Sequence, residues 1–120
     1  MTKNKILKFL IALNITTYGM LFFLIFIEQG PVTGCSMMPT LPCDHYGFGL
    51  RTQSLNIGDI ATYKKTVENK TEYVLHRAIA YDEDNDCFIF RGDANIYNDS
   101  ECVPRSDVYS KFLFMIPNLT

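Results

Sequence analysis

Basic charge is scarce in the larger part of this sequence. Residues 29–120 carry eight Lys and Arg against twelve Asp and Glu, a net of −4. Nucleic-acid binding draws on clustered positive charge, so no nucleic-acid partner is expected. The same shortage leaves no polybasic patch to hold anionic lipid. Histidine is limited to His45 and His76, and the four cysteines show no C-x-x-C spacing. A zinc site is a weak reading of such a set. After residue 28 there is no long apolar pattern of 3.6-residue period, no repeat and no low-complexity segment. Helical bundles and βαβ units are therefore poor models for this part of the chain.

Charge is missing altogether from residues 9–27, a run of 19. As a helix it reaches about 28 Å, close to the ~30 Å hydrocarbon thickness of a bilayer. Asn14, Thr16 and Thr17 weaken the pattern but can hydrogen-bond within a helix. Lys3, Lys5 and Lys8 precede the run and Glu28 follows it. The positive-inside rule puts residues 1–8 in the cytoplasm and 28–120 on the extracytoplasmic or luminal side. A cleaved signal peptide would have a shorter apolar core and a small-x-small site, which "FIEQGP" does not offer. A core helix of a soluble protein seldom stays uncharged on every face for so long. A single uncleaved transmembrane helix is expected.

The remaining ~90 residues read as one mostly β domain. Strands are expected at "DIATYK" (59–64), "TEYVLHRAIAY" (71–81), "CFIFRG" (87–92) and "KFLFMI" (111–116). In the second, Tyr73, Leu75, Arg77 and Ile79 alternate with Val74, His76, Ala78 and Ala80. "VENKTE" (67–72) and "DEDND" (82–86) look like exposed hairpin connections. Residues 31–34 read as a short extended linker, and Pro42, Gly47, Gly49 and Gly58 punctuate the stretch up to the first expected strand. So small a domain has a small core, and a disulfide, a partner or the membrane would support it. Cys35, Cys43, Cys87 and Cys102 allow three fully paired connectivities, which the sequence leaves open. Four tripeptides fit the glycosylation pattern, at 14–16, 69–71, 98–100 and 118–120, and carry little weight.

Four polar residues are candidates for chemistry. Each has an ordinary reading: Ser36 in "GCSMMPTL" as a turn residue, His76 as a half-buried strand histidine, Asp93 and Asp99 as loop aspartates. Together they suggest more. A hydroxyl is a weak nucleophile until a base takes its proton. Imidazole does so at neutral pH, and a carboxylate on its far nitrogen fixes the tautomer. Cys35 is a less apt nucleophile, since a thiol needs its own base and a lowered pKa.

With these residues in view, the sequence resembles the type I signal peptidases. "GCSMMPTL" matches their S-x-x-P-T nucleophile box at Ser36, and "IGDIATYK" (57–64) their following strand. "YVLHRAIAY" (73–81) matches the general-base box, with His76 where the common bacterial enzymes have lysine. The endoplasmic reticulum, archaeal and some Gram-positive members share that histidine. "FRGDANIYND" (90–99) matches the G-D-N-N-x-x-x-D box of that branch at Asp93 and Asp99, and "VYSKFLFMIP" (108–117) looks like the closing V-x-G-K-x-x-x-x-I-P.

The resemblance implies a compact antiparallel β catalytic domain behind a membrane anchor. It implies a serine endopeptidase that removes signal peptides after small residues at −1 and −3. Ser36 would attack, His76 would act as base and acid, and Asp99 or Asp93 would orient His76. Asp99 is the favoured direct partner, and Asp93 is the alternative that would otherwise serve Arg77 or its loop. No metal or cofactor would be needed. The substrate would lie extended against residues 31–35 and 72–75. Pro31, Thr33, Cys35, Met37, Tyr73 and Leu75 are the expected contacts, forming shallow apolar pockets. Preproteins and membrane lipid are the implied partners, with accessory subunits plausible for so small a chain. Met37, Met38 and Phe48 could rest on lipid, although core packing is the favoured reading of Met37 and Met38.

Three departures stand out. Gly34 occupies a position where many members have a serine that assists the oxyanion hole. Ser110 stands where glycine is usual. The sequence ends at Thr120, where some histidine-branch relatives continue into another membrane segment. These leave two other expectations: a non-catalytic accessory protein on a peptidase-like fold, and a peptidase dedicated to one exported substrate.

Overall fold

The computed structural model describes residues 2–117. The glycosylation-pattern tripeptide at 118–120 lies outside them. The first element, α1, is the helix Lys3–Phe26, longer at its start than the apolar run and taking in Lys3, Lys5 and Lys8. Its most apolar window has a mean hydropathy of 2.1 and none of it is buried, so it is long and apolar enough to cross a membrane. Thr2 caps its start, accepting a hydrogen bond from the Lys5 N–H. The hydroxyls of Thr16 and Thr17 donate to the carbonyls of Ala12 and Leu13, which satisfies them inside the helix.

α1 ends because Ile27 turns extended and begins a strand, β1 (Ile27–Val32). No linker separates helix from strand, and the expectation for residues 31–34 is corrected in its first half: Pro31 and Val32 pair with Tyr46 and His45 of β2 (His45–Leu50), while Thr33 and Gly34 lie outside any strand. Pro31 fits because β1 is an edge strand, where a missing donor breaks no central ladder. Arg51 joins helix to sheet. Its N–H donates to the Phe26 carbonyl at 2.7 Å and its guanidinium to that of Ile25 at 3.3 Å. A cation there meets carbonyls the helix leaves without partners, at its negative end.

The rest is β3 (Ile60–Val67), β4 (Lys70–Asp82), β5 (Cys87–Arg91), β6 (Val103–Pro104), one 3-10 turn (Arg105–Asp107) and β7 (Val108–Pro117). The seven strands among the described residues form one antiparallel sheet in the order β1-β2-β7-β3-β4-β5-β6. The mostly β domain behind one apolar helix is thus as expected. The four expected strands are β3, β4, β5 and β7, with shifted ends. The connection sought in 67–72 is only Glu68 and Asn69, both at positive φ, as a tight two-residue hairpin turn needs. β4 likewise runs on through Asp82.

β2 has no counterpart among the expected strands because Gly47 and Gly49 read as turn residues. They lie inside the strand, on its inward face. A Cβ on Gly49 would sit 2.9 Å from Ser110 Oγ and 3.0 Å from the Lys111 carbonyl oxygen, so that position admits no side chain.

Two small cores lie on opposite faces of β4. Ala78 joins Ala61, Tyr63, Phe88, Phe90, Val103 and Val108. Leu75, one register step from His76, joins Met37 and Leu41. Met37 is therefore core and not lipid-facing, while Met38 is exposed.

Both cysteine pairs are closed, Cys35–Cys43 and Cys87–Cys102. The second spans fifteen residues, for which loop-closure entropy amounts to about 3 kcal/mol. Replacing Cys87 and Cys102 together by alanine is expected to lower unfolding stability by about that amount. Denaturant titration of the detergent-solubilised chain measures it.

Candidate active site

The nucleophile candidate sits in a loop pinned at its neck. Gly34 and Asp44 bond to each other: the Gly34 N–H donates to Asp44 Oδ1 at 2.8 Å, and the Asp44 N–H to the Gly34 carbonyl at 3.3 Å. The Cys35–Cys43 disulfide closes the same neck. Gly34 has a φ of +91°, a conformation that L side chains rarely adopt. A serine hydroxyl at this position would come with backbone strain. Inside the loop, Met37 and Leu41 face the core and leave Ser36 half-exposed.

The base candidate comes from the middle of β4. His76 is buried, with 9% of its surface exposed. Its Nδ1 lies 2.6 Å from Asp99 Oδ2 and its Nε2 3.1 Å from Ser36 Oγ. A carboxylate only accepts, so Nδ1 carries the proton and donates. Nε2 is left to accept the Ser36 hydroxyl hydrogen. Asp99 approaches because its own N–H donates to the Phe90 carbonyl at 2.8 Å, which turns the loop after β5 back over β4.

Tyr63 is not singled out by the sequence. Its hydroxyl donates to the same Asp99 oxygen at 2.5 Å, from the first core. Burial, helped by the Asp99 hydrogen bond and charge, pushes the phenol above its ordinary range and keeps it a donor. Strand alternation marks Tyr63 only as an inward-facing residue of β3. Nothing local marks it as a neighbour of residue 99.

Asp93 does not touch His76. Its two oxygens accept from Arg77 Nε at 2.9 Å and Nη2 at 2.7 Å, a two-point fork, and Thr40 donates to it at 2.6 Å. Arg77 Nη1 donates further to the Gly58 carbonyl. Asp93 thus ties the nucleophile loop, through Thr40, to β4, through Arg77. The Arg77 hydrogen bonds hold the Asp93 carboxyl below the usual carboxylate range, against the opposing effect of burial.

The loops meet most closely at Gly92. A Cβ there would lie 2.6 Å from the Ser36 carbonyl oxygen and 3.0 Å from His76 Nε2. The Ser36 carbonyl accepts the Ala94 N–H at 2.8 Å across this contact. Only glycine leaves room for it.

Ser36 and His76 open onto a cleft of about 310 Å3. Its walls are residues 30–34 of β1 and its extension, and residues 73–76 of β4. Of the expected contacts, Pro31, Thr33, Met37, Tyr73 and Leu75 line it. Cys35 does not: it is not among the lining residues, and its sulfur is bonded to Cys43, which also removes it as a thiol nucleophile. The cleft is not purely apolar. Glu28, Thr62, Ser110 and His45 contribute to its lining, and the sequence marks none of these as a site residue. His45 lies apart from the Ser36–His76 pair. Its Nδ1 is 3.2 Å from the Pro42 carbonyl oxygen, and its buried Nε2 has no partner among the described residues.

Because its folded pKa is depressed, Asp93 contributes stability in full above its unfolded value near ~4. That contribution is lost as pH falls through the depressed folded value. The stability gap between wild type and Asp93→Asn is therefore expected to be constant from about pH 6 to 8 and to close below about pH 4. Thermal unfolding of both chains across that range checks it.

Compared with family models, with curated proteins and with solved structures, the chain matches none.

Proposed function

We propose that this chain is a membrane-anchored serine endopeptidase that removes signal peptides from exported preproteins. The observation that carries the reading is His76 bridging Ser36 Oγ and Asp99 at the mouth of a cleft. Ser36 Oγ attacks the carbonyl of residue −1 while His76 Nε2 takes its proton. His76 then delivers the proton to the departing amine of the mature protein. Asp99 holds the imidazole and balances its charge, and Tyr63 holds Asp99. Water, activated by His76, releases the acyl group from Ser36. The Ser36 N–H has no acceptor among the described residues and is the donor available to the oxyanion.

Two free strand edges support an extended substrate. Among the described residues β1 pairs only with β2, and β4 pairs with β3 alone before Arg77. Both edges border the cleft, so a peptide entering it can add as a strand to either. β1 runs from the end of α1 toward Ser36. Residues upstream of the scissile bond then run back along β1 toward the membrane, where a signal peptide is held.

The outer face of the same strands supports contact with lipid. Tyr46, Phe48, Phe114 and Ile116 are register neighbours there, with Phe48 and Phe114 stacked at 4.6 Å. Tyr46, Phe114 and Ile116 are exposed. Membrane placement confines enzyme and substrate to one layer.

The detergent-solubilised chain, incubated with a preprotein, is expected to cut after a small-x-small site, with the new N-terminus identified by mass. Ser36→Ala is expected to abolish the cut, and activity surviving in it would overturn the Ser36 assignment. Tyr63→Phe, which leaves Asp99 with one donor fewer, is expected to lower kcat about tenfold with little change in KM. Steady-state kinetics on the same substrate separates the two constants.

A further inference from the structure

We infer that Glu28 makes the cleft selective for a cationic side chain, Lys or Arg, at substrate position −5. This rests on the peptidase reading above and adds a requirement to it. The inward faces of β1 and β2 meet in three register rows: Val32 with His45, Gly30 with Gly47, and Glu28 with Gly49. The row nearest Ser36 carries two side chains. The middle row carries none, because both residues are glycine; the floor is open at Gly30, while Val32 and Phe112 close over Gly47. The third row carries one carboxylate.

That carboxylate is held in place. Its Oε2 accepts from Ser110 Oγ at 3.1 Å, and Ser110 is 1% exposed. Gly49 is what makes this possible, since a Cβ on it would collide with Ser110. Oε1 leans the other way, 3.9 Å from where a Cβ on Gly30 would sit, and so overhangs the opening at Gly30. Ser110 and Gly49 act as one device: a serine in place of the usual glycine on β7, given room by Gly49, fixes a carboxylate on β1.

The charge has no counterpart. Glu28 forms no ion pair among the described residues. Among the described residues no Lys or Arg lines the cleft, and Glu28 is the one carboxylate side chain that does. A half-buried carboxylate facing a cleft with low-dielectric walls attracts a cation more strongly than an open surface charge does.

The strand period sets the position. Side chains on one face of a strand recur every second residue, about 6.8 Å apart. A peptide lying along β1 with residue −1 at Ser36 puts −3 over the glycine row. The next side chain on that face, −5, meets Glu28. Residues −4 and −6 point away.

The test uses the full detergent-solubilised chain and peptides with Ala at −1 and −3. Lys, Arg, Gln, Leu or Glu is placed at −5, and the same set separately at −4. Lys and Arg at −5 are expected to raise kcat/KM roughly five- to tenfold over Gln, and Glu to lower it. Substitution at −4 is expected to matter little, and added salt to shrink the preference. Glu28→Gln, which can still accept from Ser110, is expected to erase the Lys-to-Gln difference, and Glu28→Lys to invert it. Equal rates for all −5 residues, or the same preference surviving in Glu28→Gln, would overturn the inference. Fluorescence anisotropy of the same labelled peptides with Ser36→Ala gives a readout free of cleavage. Preferential binding of the Lys peptide without cleavage by wild type would sustain the acidic subsite while sinking the peptidase reading. Cleavage with no preference in either assay would do the reverse.

Discussion

The approach of two loops at Gly92 is the constraint on which the site depends. The loop carrying Ser36 and the loop carrying Asp93 and Asp99 come from opposite ends of the sheet. They touch because Gly92 has no side chain, the Ala94 N–H reaches the Ser36 carbonyl, and Thr40 reaches Asp93. β4 runs beneath the contact and presents His76 to both loops. A side chain at position 92 would push the Ser36 carbonyl and the His76 imidazole off their positions together. Small displacements of that kind matter, because a hydroxyl, an imidazole and a carboxylate function as one unit only within hydrogen-bond reach.

Much of the remaining structure braces those two loops. One disulfide closes the neck of the Ser36 loop, and the other spans the loop that carries Asp93 and Asp99. Each loop also has a core beneath it, the first through Met37 and Leu41, the second through Phe90. The cores are small and share β4. A domain of this size buries too little apolar surface to hold long loops by packing alone. Cross-links and a forked ion pair between Arg77 and Asp93 supply the rest of the order.

Glycine does the opposite work in the cleft. At Gly30 the missing side chain leaves space, at Gly47 it lets Val32 and Phe112 close in, and at Gly49 it lets Ser110 approach Glu28. The cleft is therefore shaped as much by what β1 and β2 omit as by what they present. This also explains the polar floor. A sheet face with three glycines cannot make a continuous apolar layer, and the gap is lined by Glu28, Ser110 and Thr62.

The apolar helix is legible in the sequence because its signal is local: an uncharged run of the right length needs no partner to be recognised. The strands β3, β4, β5 and β7 are legible for the same reason, through their β-rich residues and turn signals. β1 and β2 are not, since Pro31, Gly47 and Gly49 read locally as breakers. Their strand character comes from pairing with each other and with β7, a long-range fact. Ser36, His76 and Asp99 can be named from motif order, but spacing along a chain does not say that groups meet. The fold of the sheet decided that Asp99, not Asp93, faces the imidazole. It also brought in Tyr63 and Glu28, which are ordinary residues in their own segments. Their roles arise from neighbours 36 and 82 residues away, and only tertiary contact creates such neighbours.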